Sequence, residues 1–286
     1  MIRLAEIESQ IAGISELLDI VGAMRSLASM RLQEAHRALL GIRRYAETMA
    51  EAIGSALLLM PEPSLAGGAS RGSRAFILCT AEHGFVGGFN VRVIDAAEEV
   101  LGRDDTLFVL GSRGAALVRE RGGTTAWTHP TATSPEGVPA TIRPLTARLY
   151  RLIVHDHVAR VDLMFARHRQ GTGTTIERRQ LLPLDLASFS LKQPRLPPLH
   201  NLQPNFLLEK LIGDYVFALL TEAVVESLAA ENAARFAAMG SAYDNVSKKL
   251  DELRQDARQA RQSEITTELL DLVTGAEAMR SPGCHS

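Results

Sequence analysis

A long antiparallel coiled coil of the N- and C-terminal helices, with a small Rossmann-like α/β domain inserted between them, is the fold class this sequence predicts. Three observations carry it. Residues 2–60 and 205–281 contain no proline. At about 1.5 Å per residue the second stretch alone would form a helix on the order of 110 Å long, against the roughly 8–20 residues of an ordinary globular helix. The first stretch holds a heptad repeat, and between the two lies a recurring order of apolar run, glycine turn and helical spacing, the pattern of an α/β layer.

The first helix is expected over residues 1–60. Leu4, Ile11, Leu18, Leu32 and Leu39 fall on one heptad position, and Ile7, Ile14, Val21, Ala28, Ala35, Ile42 and Met49 on the other. Apolar residues kept at this spacing over about seven heptads form a seam for a second helix. Arg25 is its one charged interruption. A guanidinium there either lifts its head out of the seam on an apolar stem or meets a partner.

Residues 61–204 hold the inserted domain and its connectors. Pro61, Pro63 and Gly67-Gly68 end the helix. Residues 74–80 are a near-continuous apolar run, as in a sheet covered on both faces. The loop Glu82-His83-Gly84-Phe85-Val86-Gly87-Gly88-Phe89-Asn90 follows, then helical spacing over 91–101. A second strand (106–110), turn (111–114) and helix (115–120) repeat the unit. Residues 124–139 read as loop, 142–158 as a helix, 160–166 as a strand and 174–182 as an antiparallel edge strand with a polar centre. Residues 183–204 are a proline-rich connector.

The loop Gly84-x-x-Gly87-Gly88 lies where backbone N–H groups and a helix dipole could hold a phosphate. It lacks the Lys-Ser/Thr of a P-loop and the G-x-G-x-x-G of a dinucleotide site, so Gly84, Gly87 and Gly88 are read as structural. The competing reading is a coiled-coil protein whose α/β domain binds a nucleotide there, but no basic and acidic residues complete such a set. A third reading, a plain tether, explains the heptads alone. His83 has no nucleophile at a matching elbow. His155 and His157 cannot both face one metal from a helix. Cys79 in a strand and Cys284 in the tail, beside His285, read as structurally minor. No catalytic residue, metal site or cofactor is expected.

The last helix, 205–280, changes character along its length. Leu208, Leu211, Ile212, Tyr215, Val216, Leu219 and Leu220 make residues 206–225 broadly apolar, so that this part should be buried against two neighbours. Small residues follow from Ala229 to Ala242. Residues 244–264 are strongly charged over a seam of Val246, Leu250, Leu253, Ala257 and Ala260. Ile265, Leu269, Leu270, Leu272 and Val273 then make the end apolar again, and an apolar tip needs a partner to cover it. Residues 281–286 are a polar tail.

Composition bounds the class. The chain of 286 residues is 46% hydrophobic and 22% charged with a net charge of −2. It is not disordered, and its dispersed arginines argue against nucleic acid. No run approaches the ~18 apolar residues of a membrane span, and Arg3, Glu6 and Glu8 sit where a signal peptide would be apolar. A soluble, cytosolically made chain is expected.

Several runs resemble the gamma subunit of F-type ATP synthases. They are Ala233-Ala234-Arg235-Phe236-Ala237-Ala238-Met239, Ala242-Tyr243-Asp244-Asn245, Ala260-Arg261-Gln262-Ser263-Glu264-Ile265-Thr266-Thr267-Glu268-Leu269 and Val273-Thr274-Gly275-Ala276. In the first helix Ile7-x-x-x-Ile11, Ala23-Met24 and Arg44-Tyr45-Ala46 are similar to that family, as is Gly84-Phe85-x-Gly87-Gly88-Phe89-Asn90. The resemblance spans nearly the whole chain. It implies a rotor without a catalytic site: a coiled coil turning inside a hexamer of alpha and beta subunits, and an α/β domain beside the epsilon subunit on the c-subunit ring. Such a complex lies on the cytoplasmic face of the bacterial inner membrane, and the chain meets the membrane only through it.

By position, the resemblance puts Arg261 and Gln262 where the shaft meets a beta-subunit loop, with Met24 and Arg25 on the facing part of the first helix. It makes Ile265, Leu269, Leu272 and Val273 an apolar bearing tip. There are departures. Arg25-Ser26-Leu27-Ala28-Ser29-Met30 replaces a more basic run, and Val86 stands where the family has cysteine. The tail is an addition. These mark a divergent branch, of the kind an alternate synthase operon carries.

Overall fold

The computed structural model describes residues 2–60, 73–102, 104–155, 158–169, 171, 173–189 and 199–280. The tail, the Pro61–Gly68 break, His157 and most of the proline-rich connector lie outside these residues. Five helices and five strands follow in the order α1 (Ile2–Leu57), β1 (Arg74–Cys79), α2 (Phe89–Glu98), β2 (Thr106–Leu110), α3 (Ser112–Glu120), β3 (Trp127–His129), α4 (Val138–His155), β4 (Arg160–Arg169), β5 (Gly173–Leu182) and α5 (Pro204–Arg280). The long terminal helices are present, α1 with 56 residues and α5 with 77.

Packing divides the chain elsewhere than its element boundaries do. One compact unit comprises residues 1–26 and 237–286, the other residues 27–236. Both long helices therefore contribute to both units.

The larger unit is built on a five-stranded sheet of order β3-β2-β1-β4-β5, in which only the β4–β5 pair is antiparallel. The first four strands keep the 3-2-1-4 order that opens a doubly wound nucleotide-binding sheet. Strand β1 is buried on both faces because its residues alternate between two cores. Ala75, Ile77 and Cys79 face α1, α4 and α5. Phe76 and Leu78 face α2 and α3. Burial also pushes the Cys79 thiol up to about 12, which leaves it protonated and unreactive.

Two elements differ from expectation. The stretch read as loop contains β3, whose three residues are too few to show a period. It is held by pairing with β2, by Gly111 N–H donating to His129 O at 2.9 Å, and by the Trp127 ring 5.7 Å from that of Phe108. Helix α4 begins earlier than residue 142: Pro139 falls in its first turn, where no backbone N–H is needed, and Pro144 is accommodated inside.

Burial along α5 is also displaced. Every residue from Leu220 to Asn232 is buried, whereas Phe206 and its neighbours are half-buried or exposed. Apolar content alone placed the enclosed part too early, because the enclosed stretch carries Thr221, Glu222, Glu226, Ser227, Glu231 and Asn232. Each of these has a partner: Ser227 Oγ, for instance, donates to Cys79 O at 3.1 Å.

The turn after β2 approaches β1 closely. A Cβ on Gly114 would lie 2.0 Å from Thr80 Oγ1, and one on Gly111, at φ 107°, would lie 2.4 Å from Thr80 O. Gly114→Ala should therefore destabilise the purified chain by about 1–3 kcal/mol. Gly84→Ala, which meets nothing within 4 Å, should change stability by less than ~0.5 kcal/mol. Denaturant unfolding of the two variants checks the contrast.

Candidate functional site

In the smaller unit the seam is seen as expected. Leu4, Ile7, Ile11, Ile14 and Leu18 are half-buried and Val21 is buried, as are Met239, Leu250 and Leu253 opposite. The two helical stretches run antiparallel: Glu8 pairs with Arg261 at 2.7 Å, and the position of a Gly22 Cβ is 3.5 Å from the Tyr243 ring. Gly22 thus lies beside Tyr243, at a separation where a methyl group would make only ordinary contact. Arg25 is half-buried, its Nε 4.0 Å from the Cβ position of Gly240, so it lies against the small-residue stretch of the facing helix.

This register corrects one expectation. Arg261 and Gln262 face the start of α1, not Met24 and Arg25. Glu8 and Met24 are about 24 Å apart along the helix at 1.5 Å per residue, so the four residues form two separate levels. Arg261 and Gln262 are exposed, and Met24 is half-buried. Beyond them Ile265, Leu269, Leu272 and Val273 are 51%, 57%, 70% and 54% exposed, an apolar tip without cover.

In the larger unit the glycine loop is fastened by protein groups. Glu82 accepts from Ser112 Oγ at 2.6 Å, Ser112 N–H at 3.1 Å and Thr131 N–H at 2.9 Å. Burial works against its charge, but these bonds prevail and hold its pKa below the ordinary carboxylate range. Asn90 Oδ1 accepts from Ala81 N–H at 2.9 Å. Of the three glycines, only Gly87 takes the left-handed conformation, at φ 54°, and a Cβ on Gly84 or Gly88 would meet nothing. The steric case for a structural glycine is therefore confined to Gly87. Phe85, at φ 62° and 68% exposed, bears strain of its own.

The crevice outside the C-terminal ends of β1 and β4, where doubly wound folds bind ligands, is filled by α5. Ala230 packs into the cluster of Ala81, Val86, Phe89, Val93 and Ala166. One turn on, Arg235 reaches Gly84 O at 3.4 Å and pairs with Glu231 at 2.6 Å. Burial raises the Glu231 carboxyl to about 7 despite that partner. His83 is exposed on this loop. Among the described residues no three His, Cys, Asp or Glu side chains gather as a metal site, and no helix is long and apolar enough to cross a membrane.

A charged clamp that sequence reading missed ties four elements together. Arg43 of α1 pairs with Glu222 and Glu226 of α5. Arg167 of β4 reaches Glu226 at 3.1 Å and Glu177 at 2.8 Å, and Arg179 of β5 reaches Glu222 at 2.7 Å. Glu226 is nearly inaccessible, and the guanidiniums of Arg43 and Arg167 offset the cost of burying it. The available signal was Glu222 and Glu226, one helical turn apart within an apolar stretch.

Comparison with known proteins gives a consistent set of matches. A family model described as ATP synthase matches residues 3–279. The ATP synthase gamma chain of Streptomyces avermitilis is 30% identical, with 94% of each chain covered, and that of Chlorobaculum tepidum is 25% identical, covering 98% of this chain and all of that one. Two Euglena gracilis mitochondrial ATP synthase structures share the fold. An OSCP/F1/c-ring structure matches at TM-score 0.64 and 13% identity, covering 99% of this chain and 98% of that one. A rotor structure matches at TM-score 0.61 and 14% identity, covering 92% and 99%.

Two stability measurements test the buried charges. Arg167→Ala should cost about 1.5–3 kcal/mol, because Glu226 and Glu177 each lose one charged hydrogen bond while keeping Arg43 and Arg169. The folded chain keeps the Glu231 proton up to about pH 7, against an ordinary value of 4.5, so folding takes up a proton between these values. Stability from this group therefore falls as pH rises across that window, by roughly 3 kcal/mol in all. Glu231→Gln should flatten the profile between pH 4.5 and 7 in parallel denaturant titrations.

Proposed function

The chain belongs to the ATP synthase gamma-chain family, and from that premise we propose which of its surfaces act as a rotor. A gamma chain is the central shaft of an F-type synthase, coupling ion flow through the membrane ring to conformational change at the catalytic beta subunits. The observation that carries the division of labour is the continuity of α5. The same 77-residue helix is enclosed at Leu220–Asn232, paired along a seam in the smaller unit, and bare at its apolar end.

The paired helices of the smaller unit turn among the alpha and beta subunits. Their seam is apolar and their outer face charged, so subunits around them meet a different surface at each angle. That difference is what a rotating shaft needs in order to bias three otherwise equal sites. Torque contacts lie at two levels, Arg261 with Gln262 and Met24 with Arg25. Arg261 forms only an exposed ion pair with Glu8, worth about 0–1 kcal/mol, so a beta-subunit carboxylate can replace it cheaply. The tip of Ile265, Leu269, Leu272 and Val273 turns in an apolar sleeve, where contacts lack directional hydrogen bonds.

The larger unit meets the epsilon subunit and the c-subunit ring, at the cytoplasmic face of the bacterial inner membrane. Its clamp of Arg43, Arg167 and Arg179 on Glu222 and Glu226 passes torque from sheet to both helices. The chain contributes no catalytic group; the reaction belongs to the beta subunits, and the chain acts on it by position alone.

Co-expression with the alpha and beta subunits of the same organism tests the reading. One copy should co-elute with each hexamer, and hydrolysis should depend on it. In a reconstituted synthase, Arg261→Ala with Gln262→Ala should lower ATP-driven pumping several-fold. Unchanged pumping would remove the torque role from this level.

A further inference from the structure

Between α1 and the β4–β5 pair lies an open cleft of about 710 Å³ whose walls are unusually cationic. His36 and Arg43 come from α1, Arg167, His168 and Arg169 from β4, and Arg179 from β5. Glu222 and Glu226 of α5 form its acidic side, and Glu177 stands behind Arg167 and Arg169. With both histidines neutral, four guanidiniums thus exceed three carboxylates by one charge. The excess lies on the solvent side, because the Arg43 and Arg169 side chains are 45% and 62% exposed while those of Glu222 and Glu226 are only 10% and 3% exposed. Arg169 reaches its carboxylate only at 3.5 Å.

Donor capacity exceeds what the carboxylates use. A guanidinium carries five N–H donors in a planar fork that matches an oxyanion. Arg179 places one on Glu222 and Arg169 one on Glu177. The His36 and His168 rings stack in the wall of the cleft, their centroids 6.5 Å apart, and His168 Nδ1 lies 3.2 Å from Thr174 Oγ1. Two imidazoles beside exposed guanidiniums suit a multivalent anion, which can accept from both kinds of donor.

We propose that this cleft binds a phosphoryl anion, either inorganic phosphate or the phosphate end of a nucleotide. The bound anion bridges α1 to β4 beside the clamp and stiffens the joint between helix and sheet. Burial, and then the proximity of His36, holds the His168 pKa below the ordinary imidazole value. An anion there favours the imidazolium, so binding shifts the His168 pKa upward. The charged groups facing that ring are Arg43 of α1, Arg167 and Arg169 of β4, Glu177 and Arg179 of β5, and Glu222 and Glu226 of α5.

Isothermal titration calorimetry of the full chain tests this with sodium phosphate, pyrophosphate and ATP against sodium chloride at matched ionic strength. Saturable phosphate binding is expected, weakened about tenfold by Arg169→Ala, the loss of one charge-assisted contact. ATP binding more tightly than phosphate would identify a nucleotide as the source; equal affinities would identify the free ion. Arg169 is exposed, so its variant should fold, and His168→Gln serves as a second probe. Heats indistinguishable from chloride, or binding unchanged in both folded variants, would overturn the proposal. The measurement concerns the free chain and stands apart from the rotor reading.

Discussion

The structure depends on one helix satisfying two incompatible surroundings. Between Leu220 and Asn232 helix α5 is enclosed on all sides, whereas in the smaller unit it offers only a stripe to its partner. An apolar helix would meet the first demand and aggregate in the second; an amphipathic one would fail the first. The chain solves this with polar residues that are buried but partnered. Glu222 and Glu226 are met by Arg43, Arg167 and Arg179, and Glu231 by Arg235. Because an unpaired buried charge costs several kcal/mol, the pairs of Glu226 with Arg167 and of Glu222 with Arg179 also fix the helix in register and rotation against the sheet. A lever that carries torque needs that property more than it needs stability.

How far the sequence revealed this follows from the range of each interaction. The heptad seam was legible because its signal is periodic, and strands β1, β2, β4 and β5 because theirs are local runs bounded by turns. Strand β3 has three residues and depends on its neighbour β2, so no local pattern announces it. The clamp was illegible for a different reason: Arg43, Arg167, Arg179 and Glu226 are distant in sequence, and each alone looks like a surface charge. The facing of Arg261 was misjudged because a motif gives position along a helix but not the register of its antiparallel partner. That register is set by packing, and here it brings Glu8 beside Arg261 and Gly22 beside Tyr243.

The sheet has the strand order of a nucleotide-binding fold, and the glycine loop stands where such folds place a phosphate. Yet the groups that would recognise a ligand are used internally. The N-terminus of α3 is met by the Glu82 carboxylate, and the crevice beside β1 and β4 receives Ala230 of α5. Fold does not determine function; the site does. Here a ligand crevice has become a joint, with a helix in place of a cofactor and a carboxylate in place of a phosphate. The same geometry that would hold a small molecule at the switch point holds α5 to the sheet, and the strain at Phe85 and the left-handed turn at Gly87 shape the loop around that helix. Glu231 lies at this joint with a carboxyl raised to about 7, so a group that titrates near neutrality is carried there by the helix that must not slip.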